Sequence, residues 1–221
     1  MIAKTMNAAM NCQTLLLSTD AAEAVTTAMD HLQLGEPIII PTETVFGITA
    51  NAEREDAVRR LFELKGRDLT QPSAIFLPEI GDIDRYALIE HDYAREIISE
   101  YLPGPLTVVL SAKVKQWPGV VGDDGKIGIR VSSDKFVRTL LEEFGRPLLA
   151  TSANRSGGDE CLSLAEVKTE FESLVPLILY HQEERLAQAS TVVDLSGRQP
   201  RVLRRGALDL QARFASWFKE R

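Results

Sequence analysis

Four short polar clusters in this chain combine residue types that could handle a charged small molecule. The first, Pro41-Thr42-Glu43-Thr44-Val45-Phe46-Gly47, sets two hydroxyls and a carboxylate directly after three isoleucines. The second, Lys65-Gly66-Arg67, places two cations around a glycine. The third, Thr151-Ser152-Ala153-Asn154-Arg155-Ser156-Gly157-Gly158, offers small hydroxyls, an amide and two glycines, and follows an apolar run. The fourth joins Ser190-Thr191-Val192-Val193-Asp194 to Arg201-Val202-Leu203-Arg204-Arg205-Gly206. Backbone amides and hydroxyls in glycine loops hold phosphate oxygens, and Lys and Arg bind carboxylates and phosphates. The chemistry these residues suit is recognition of anions. Each cluster also has a plain structural explanation: turn chemistry for Thr and Glu, a cation at a helix C-terminus for Lys65, and an ordinary Ser/Asn/Gly loop.

Other chemistries lack their residues. The chain has no GxxxxGK[ST], no GxGxxG after a strand, no HExxH and no GxSxG, which weighs against a P-loop nucleotidase, a Rossmann oxidoreductase and a serine hydrolase. Cys12 and Cys161 stand far apart without a CxxC, and His31, His91 and His181 are scattered. A disulfide framework or a zinc site is therefore not expected, and no metal is assigned to protein ligands.

The positioning elements follow from periodicity. Leu15 to Leu17 read as a short strand, and Val25, Ala28, Met29 and Leu32 share one face of a helix that Gly35 stops. Ile38-Ile39-Ile40 between prolines is a buried strand, and residues 54–64 a helix with Val58, Leu61 and Phe62 on its stripe. Lys65 lies four beyond Leu61 and seven beyond Val58, so it continues the apolar stripe, an unusual place for a cation. Strands are expected at 74–77, 106–110, 126–131, 148–150, 177–180, 191–195 and 202–203. Helices are expected near 93–101, 136–144, 165–171 and 208–218. Short Val/Ile/Leu-rich strands alternating with helices, with no polar linker, predict a single α/β domain: a twisted mixed sheet flanked by helices.

The 221 residues carry 44% hydrophobic and 26% charged residues, near globular averages, so disorder is not indicated. The net charge of −7 speaks against a protein that holds nucleic acid by phosphate contacts alone. No apolar run reaches the ~18 residues of a membrane span, and residues 1–11 lack a secretory signal, which suggests a cytoplasmic protein. Those eleven residues are expected to be a loose extension, with residues 12–221 forming the domain.

The ordered series PTETVFG, KGR, PGPLTVVL, GIRV, TSANRSG, STVVDL and LRRGA closely resembles the YrdC-like family of L-threonylcarbamoyladenylate synthases. The hallmark K-x-R followed far downstream by S-x-N is met by Lys65, Arg67, Ser152 and Asn154. The resemblance implies a sheet around a concave cleft. It also implies joining of L-threonine, bicarbonate and ATP into threonylcarbamoyl-AMP with release of pyrophosphate, for modification of tRNA. By resemblance Lys65 and Arg67 are catalytic, with Lys65 and Asn154 on the nucleotide side. Thr42, Ser152, Ser190, Arg204 and Arg130 fall on the threonine side. Magnesium is implied with ATP, as are a downstream complex that transfers the threonylcarbamoyl group and room for weak tRNA binding. Phe46 replaces a common Tyr, Ile48-Thr49-Ala50 a Gly-rich continuation, and Arg205 a common Pro. Longer members carry a further C-terminal domain, which is not expected here. The competing readings are an RNA-binding module without catalysis and a carbamoyltransferase relative of the same fold.

Overall fold

Apolar strands with side chains alternating to two faces must bury both, and the computed structural model does so with helices on either side of one mixed sheet. Residues 12–17, 21–182 and 186–210 are described. In chain order the elements are β1 (Gln13–Leu16), α1 (Ala21–Leu34), β2 (Ile38–Ile40), β3 (Gly47–Asn51), α2 (Glu55–Lys65), β4 (Ala74–Phe76), α3 (Ile83–Tyr86) and β5 (Ala87–Leu88). They continue with α4 (Asp92–Tyr101), β6 (Leu106–Ala112), β7 (Lys126–Arg130), α5 (Lys135–Phe144), β8 (Leu148–Ser152), α6 (Leu164–Phe171), β9 (Leu177–Tyr180), β10 (Thr191–Asp194) and β11 (Arg201–Arg204). The strand order is β1-β9-β2-β3-β8-β4-β7-β6-β10-β11, with β5 paired to β6. Parallel pairs such as β4 with β7 and β6 with β10 stand beside antiparallel ones such as β3 with β8 and β6 with β7.

The alternation of β2 divides the core. Ile38 and Ile40 pack with Leu32 of α1 and with Phe136, Leu140 and Leu141 of α5, whereas Ile39 joins Leu61 and Phe62 of α2, Ile97 of α4 and Phe171 of α6. On the first of these faces the helical cover ends near Phe76. Beyond it, register carries Phe76 across to Arg130, Gly128 to Val109 and Thr107 to Val192. These residues share the uncovered half of that face, and this half is a concave cleft.

Three differences from the sequence reading are informative. Residues 47–51 form β3, which bridges β2 and β8 although Gly-Ile-Thr-Ala-Asn has no strand pattern of its own. Pairing with β3 also carries β8 past Ala150 to Ser152. β1 begins at Gln13, where its parallel pairing with β9 starts. The expected loose extension at 1–11 and residues 211–218 of the expected terminal helix lie outside the described residues. The described part of that helix, 208–210, is not helical. Among the described residues no helix is long and apolar enough to cross a membrane.

Gly206 shows how tightly the far edge is built. A methyl group there would stand 2.5 Å from the backbone carbonyl of Ser190. Gly206→Ala is therefore expected to lower stability by about 1–3 kcal/mol, the usual cost of overpacking. Thermal unfolding checks this, and an unchanged midpoint would show that the two segments separate freely.

Candidate active site

Thr42 leaves the end of β2 and is tied down locally. Its hydroxyl donates to the Val45 carbonyl at 2.6 Å and accepts from the Thr44 amide at 3.2 Å, a tight turn that buries both threonines. The Thr44 hydroxyl, 2.9 Å from that of Thr42, accepts from Arg130 Nη2 at 2.8 Å. Arg130, at the end of β7, also meets Glu43 Oε1 at 3.0 Å and lies over the Phe76 ring at 5.2 Å. It is 6% exposed, it lines the cleft, and its Nε has no partner among the described residues. Leaving that donor unpaired inside the protein is a cost that the neighbouring ion pair and hydroxyl bond offset.

Ser190 and Arg204 form the opposite wall. Arg204 donates through Nε and Nη2 to the Ser190 carbonyl at 3.2 and 2.9 Å, and Nη2 reaches the Ser190 hydroxyl at 3.0 Å. That hydroxyl also meets Thr107 Oγ1 at 2.9 Å. Arg67 enters from a third side. Gly66, with φ of 63°, caps α2 in the left-handed conformation and turns the chain out of the helix. Arg67 then donates to the Ser73 hydroxyl and the Pro72 carbonyl, each at 3.0 Å.

Thr42, Arg67, Arg130, Ser152, Ser190 and Arg204 thus surround one cleft of about 380 Å³, a volume typical of small-molecule sites. Among the described residues no carboxylate lies within ion-pair distance of Arg67 or Arg204. Burial lowers the pKa of both. The Arg204 charge adds to this at Arg67, while at Arg204 the opposing pull of Glu160 outweighs the push of Arg130 and burial still prevails. Like charges held together in a partly dry cleft make a site for anions. Among the described residues Asp124 is the one carboxylate lining it, and no group of three His, Cys, Asp or Glu could hold a metal ion.

The family model Sua5_yciO_yrdC, described as telomere recombination, matches residues 30–206. The chain belongs to the Sua5/YciO/YrdC family. It is 34% identical over 185 residues to the threonylcarbamoyl-AMP synthase of Pyrococcus abyssi, covering 83% of this chain and 54% of that one. It is 32% identical over 176 residues to the threonylcarbamoyl-AMP synthase of Pseudoalteromonas translucida, covering 77% of this chain and 92% of the relative. A solved structure of P. abyssi Sua5 complexed with L-threonine superposes with a TM-score of 0.77 at 31% identity, over 85% of this chain and 55% of that one. The chain thus spans about half the length of the P. abyssi protein.

Two residues of the Sua5/YciO/YrdC hallmark stand behind the wall rather than on it. Lys65 is 3% exposed, and its Nζ donates to the Ser152 carbonyl at 2.5 Å and to Asn154 Oδ1 at 3.0 Å. Asn154 Oδ1 also accepts from the Ser152 hydroxyl at 2.7 Å, and its Nδ2 donates to the Gly158 carbonyl at 2.7 Å. Lysine and asparagine here order the glycine loop and present Ser152 to the cleft. Sequence reasoning assigned no role to Glu43, Thr44, Ser73 or Thr107. The signal for the first two was their place in PTETVFG. Thr107 falls in PGPLTVVL, and nothing local marks Ser73.

The Lys65 ammonium sits where burial, with the Arg67 charge behind it, pulls its pKa from 10.5 to about 8. Between those two values the unfolded chain holds a proton that the folded chain has lost, so stability attributable to Lys65 rises with pH, by at most about 1.4 kcal/mol per pH unit. The stability difference between wild type and Lys65→Met should move in favour of the wild type from pH 8 to pH 10. Denaturant titrations across that range check it, and a flat difference would mean that Lys65 is not desolvated.

Proposed function

We propose that this chain is a threonylcarbamoyl-AMP synthase, joining L-threonine, bicarbonate and ATP with release of pyrophosphate to supply the threonylcarbamoyl group for tRNA modification. The observation that carries the proposal is the convergence of Arg67, Arg130 and Arg204 on one cleft beside Ser190, Thr42 and Ser152. The family membership and the identity with two named synthases support it. Threonine's uncharged amine adds to the carbon of a bicarbonate-derived carbon dioxide equivalent, losing water and leaving a carbamate. A carbamate oxygen then attacks the α-phosphorus of ATP, and the bond to pyrophosphate breaks. Reactants and products are all anionic, so repulsion and positioning dominate the barrier.

On this reading Arg130, which lines the cleft, takes the threonine carboxylate. Arg204 and Ser190 face the same amino acid, with Thr42 and Ser152 completing that side. Arg67 neutralises the phosphates and the carbamate. Lys65 acts on the nucleotide side through the ordering of Ser152 and Asn154 and through its charge. Magnesium arrives on the triphosphate as part of the substrate, held by phosphate oxygens and water, which suits a cleft lined by a single carboxylate among the described residues. The cytoplasm is the compartment where such an enzyme would meet tRNA, and the product passes to a partner that transfers the group.

Pyrophosphate release from ATP, measured with each proteinogenic amino acid with and without bicarbonate, tests the proposal. Only L-threonine with bicarbonate should give a strong signal. Equal release with all amino acids, or none with threonine, would overturn it. The mechanism also needs no thiolate. Burial and the nearby Glu166 and Glu170 push the Cys161 thiol up to about 11, and burial raises that of Cys12. The Cys12→Ser, Cys161→Ala double variant should keep most of its turnover, and loss of turnover with unchanged thermal unfolding would implicate a thiol.

A further inference from the structure

Resting on the threonine reading above, we infer that Glu43 is a positioning residue for L-threonine. It does not line the cleft, and it acts by fixing the guanidinium that does. Its carboxylate is 14% exposed. Oε1 forms an ion pair with Arg130 Nη2 at 3.0 Å and accepts from the Ser133 amide at 3.3 Å, and Oε2 accepts from the Ser132 hydroxyl. The Glu43 backbone carbonyl accepts from the Leu186 amide at 3.2 Å, in the segment that leads to Ala189 and Ser190 on the opposite wall. One residue therefore links the end of β2, the end of β7, the approach to α5 and the segment before Ser190.

A carboxylate beside a substrate-binding arginine is a disadvantage if positive charge is all the site requires, because it weakens the field that draws in the anion. Its presence is explained by the depth of Arg130. Arg67 and Arg204 are oriented by carbonyls and hydroxyls and have no anionic partner among the described residues. Arg130 is almost fully buried, where an uncompensated cation is costly. Glu43 and Thr44 together engage Nη2, fix the plane of the group against the Phe76 ring, and leave Nε unpaired. The carboxylate thus compensates the buried charge in the empty cleft and sets the direction in which the remaining donors point.

The two roles a carboxylate could have here predict opposite signs. Glu43→Gln keeps the shape and removes the charge. Positioning predicts that calorimetric titration of L-threonine gives a Kd raised about tenfold or more, since small misplacements of a binding group are costly. The KM for L-threonine should rise with it, and the KM for ATP should change less than twofold. Tighter threonine binding by Glu43→Gln would mean that the carboxylate only damps the field and would overturn the inference. So would unchanged threonine binding with lowered thermal stability, which marks a purely structural role. Ser132→Ala keeps every charge and frees Oε2, and serves if Glu43→Gln does not fold. It should raise the Kd for L-threonine a few-fold in the same selective way, and unchanged binding there would also count against the role. Failure of the wild-type protein to bind L-threonine would instead remove the threonine reading and this inference with it.

Discussion

Three guanidiniums can share one small cleft only where they are held in place without all being neutralised. At an effective dielectric of ~20, unit charges even 8 Å apart interact by roughly 2 kcal/mol, so the empty cleft carries repulsion that an arriving anion relieves. The anchors are arranged accordingly. Arg67 leans on the Pro72 carbonyl and the Ser73 hydroxyl, and Arg204 on the carbonyl and hydroxyl of Ser190. Carbonyls and hydroxyls orient a guanidinium without neutralising it. Among the described residues only Arg130, the deepest of the three, is matched by a carboxylate.

The fold serves this by covering one sheet face incompletely. α1 and α5 bury Ile38, Ile40, Leu148 and Phe76, and the same face continues uncovered through Arg130, Gly128, Val109 and Val192. Where the sheet is dry it is rigid, and where it is open it carries the ligand-facing side chains on strands rather than on long loops. Thr42 just past the end of β2, Arg67 just past the glycine cap of α2 and Ser152 at the end of β8 then line that open half. The rigidity of one half is what lets the other hold like charges at fixed separations.

Much of this was legible in the sequence, for identifiable reasons. The stripe of α2 placed Lys65 among apolar residues, and the structure buries it there. The stripe of α5, the capping glycines and the strand runs at 38–40 and 177–180 were equally clear, because each depends on neighbours a few residues away. β3 was not legible. Gly47 to Asn51 becomes a strand only because β2 and β8 present free edges on both sides, a tertiary effect that outweighs local propensity. The anchoring of Lys65 on the Ser152 carbonyl and of Arg130 on Glu43 spans 87 residues in each case, so no spacing rule could disclose it. The sequence motifs marked which residues gather at the site. Which of them face the ligand and which hold the others in place is a property of the packing.

The acidic balance of the chain and its cationic cleft are compatible because electrostatics in water is local. With Lys65, Arg67, Lys126, Arg130 and Arg204, five of the 25 basic residues, drawn to the cleft or its wall, the remaining surface is more acidic than the net charge of −7 suggests. The screening length at physiological ionic strength is ~8 Å, so carboxylates on the far surface do little to cancel the field between Arg67, Arg130 and Arg204. They do discourage a long polyanion from lying across the protein, which would need neutralised phosphates along its whole track. A small anion needs only the cleft. Confinement of positive charge to a recess of about 380 Å³ therefore selects by size as well as by sign, favouring an amino acid or a nucleotide over an extended nucleic acid.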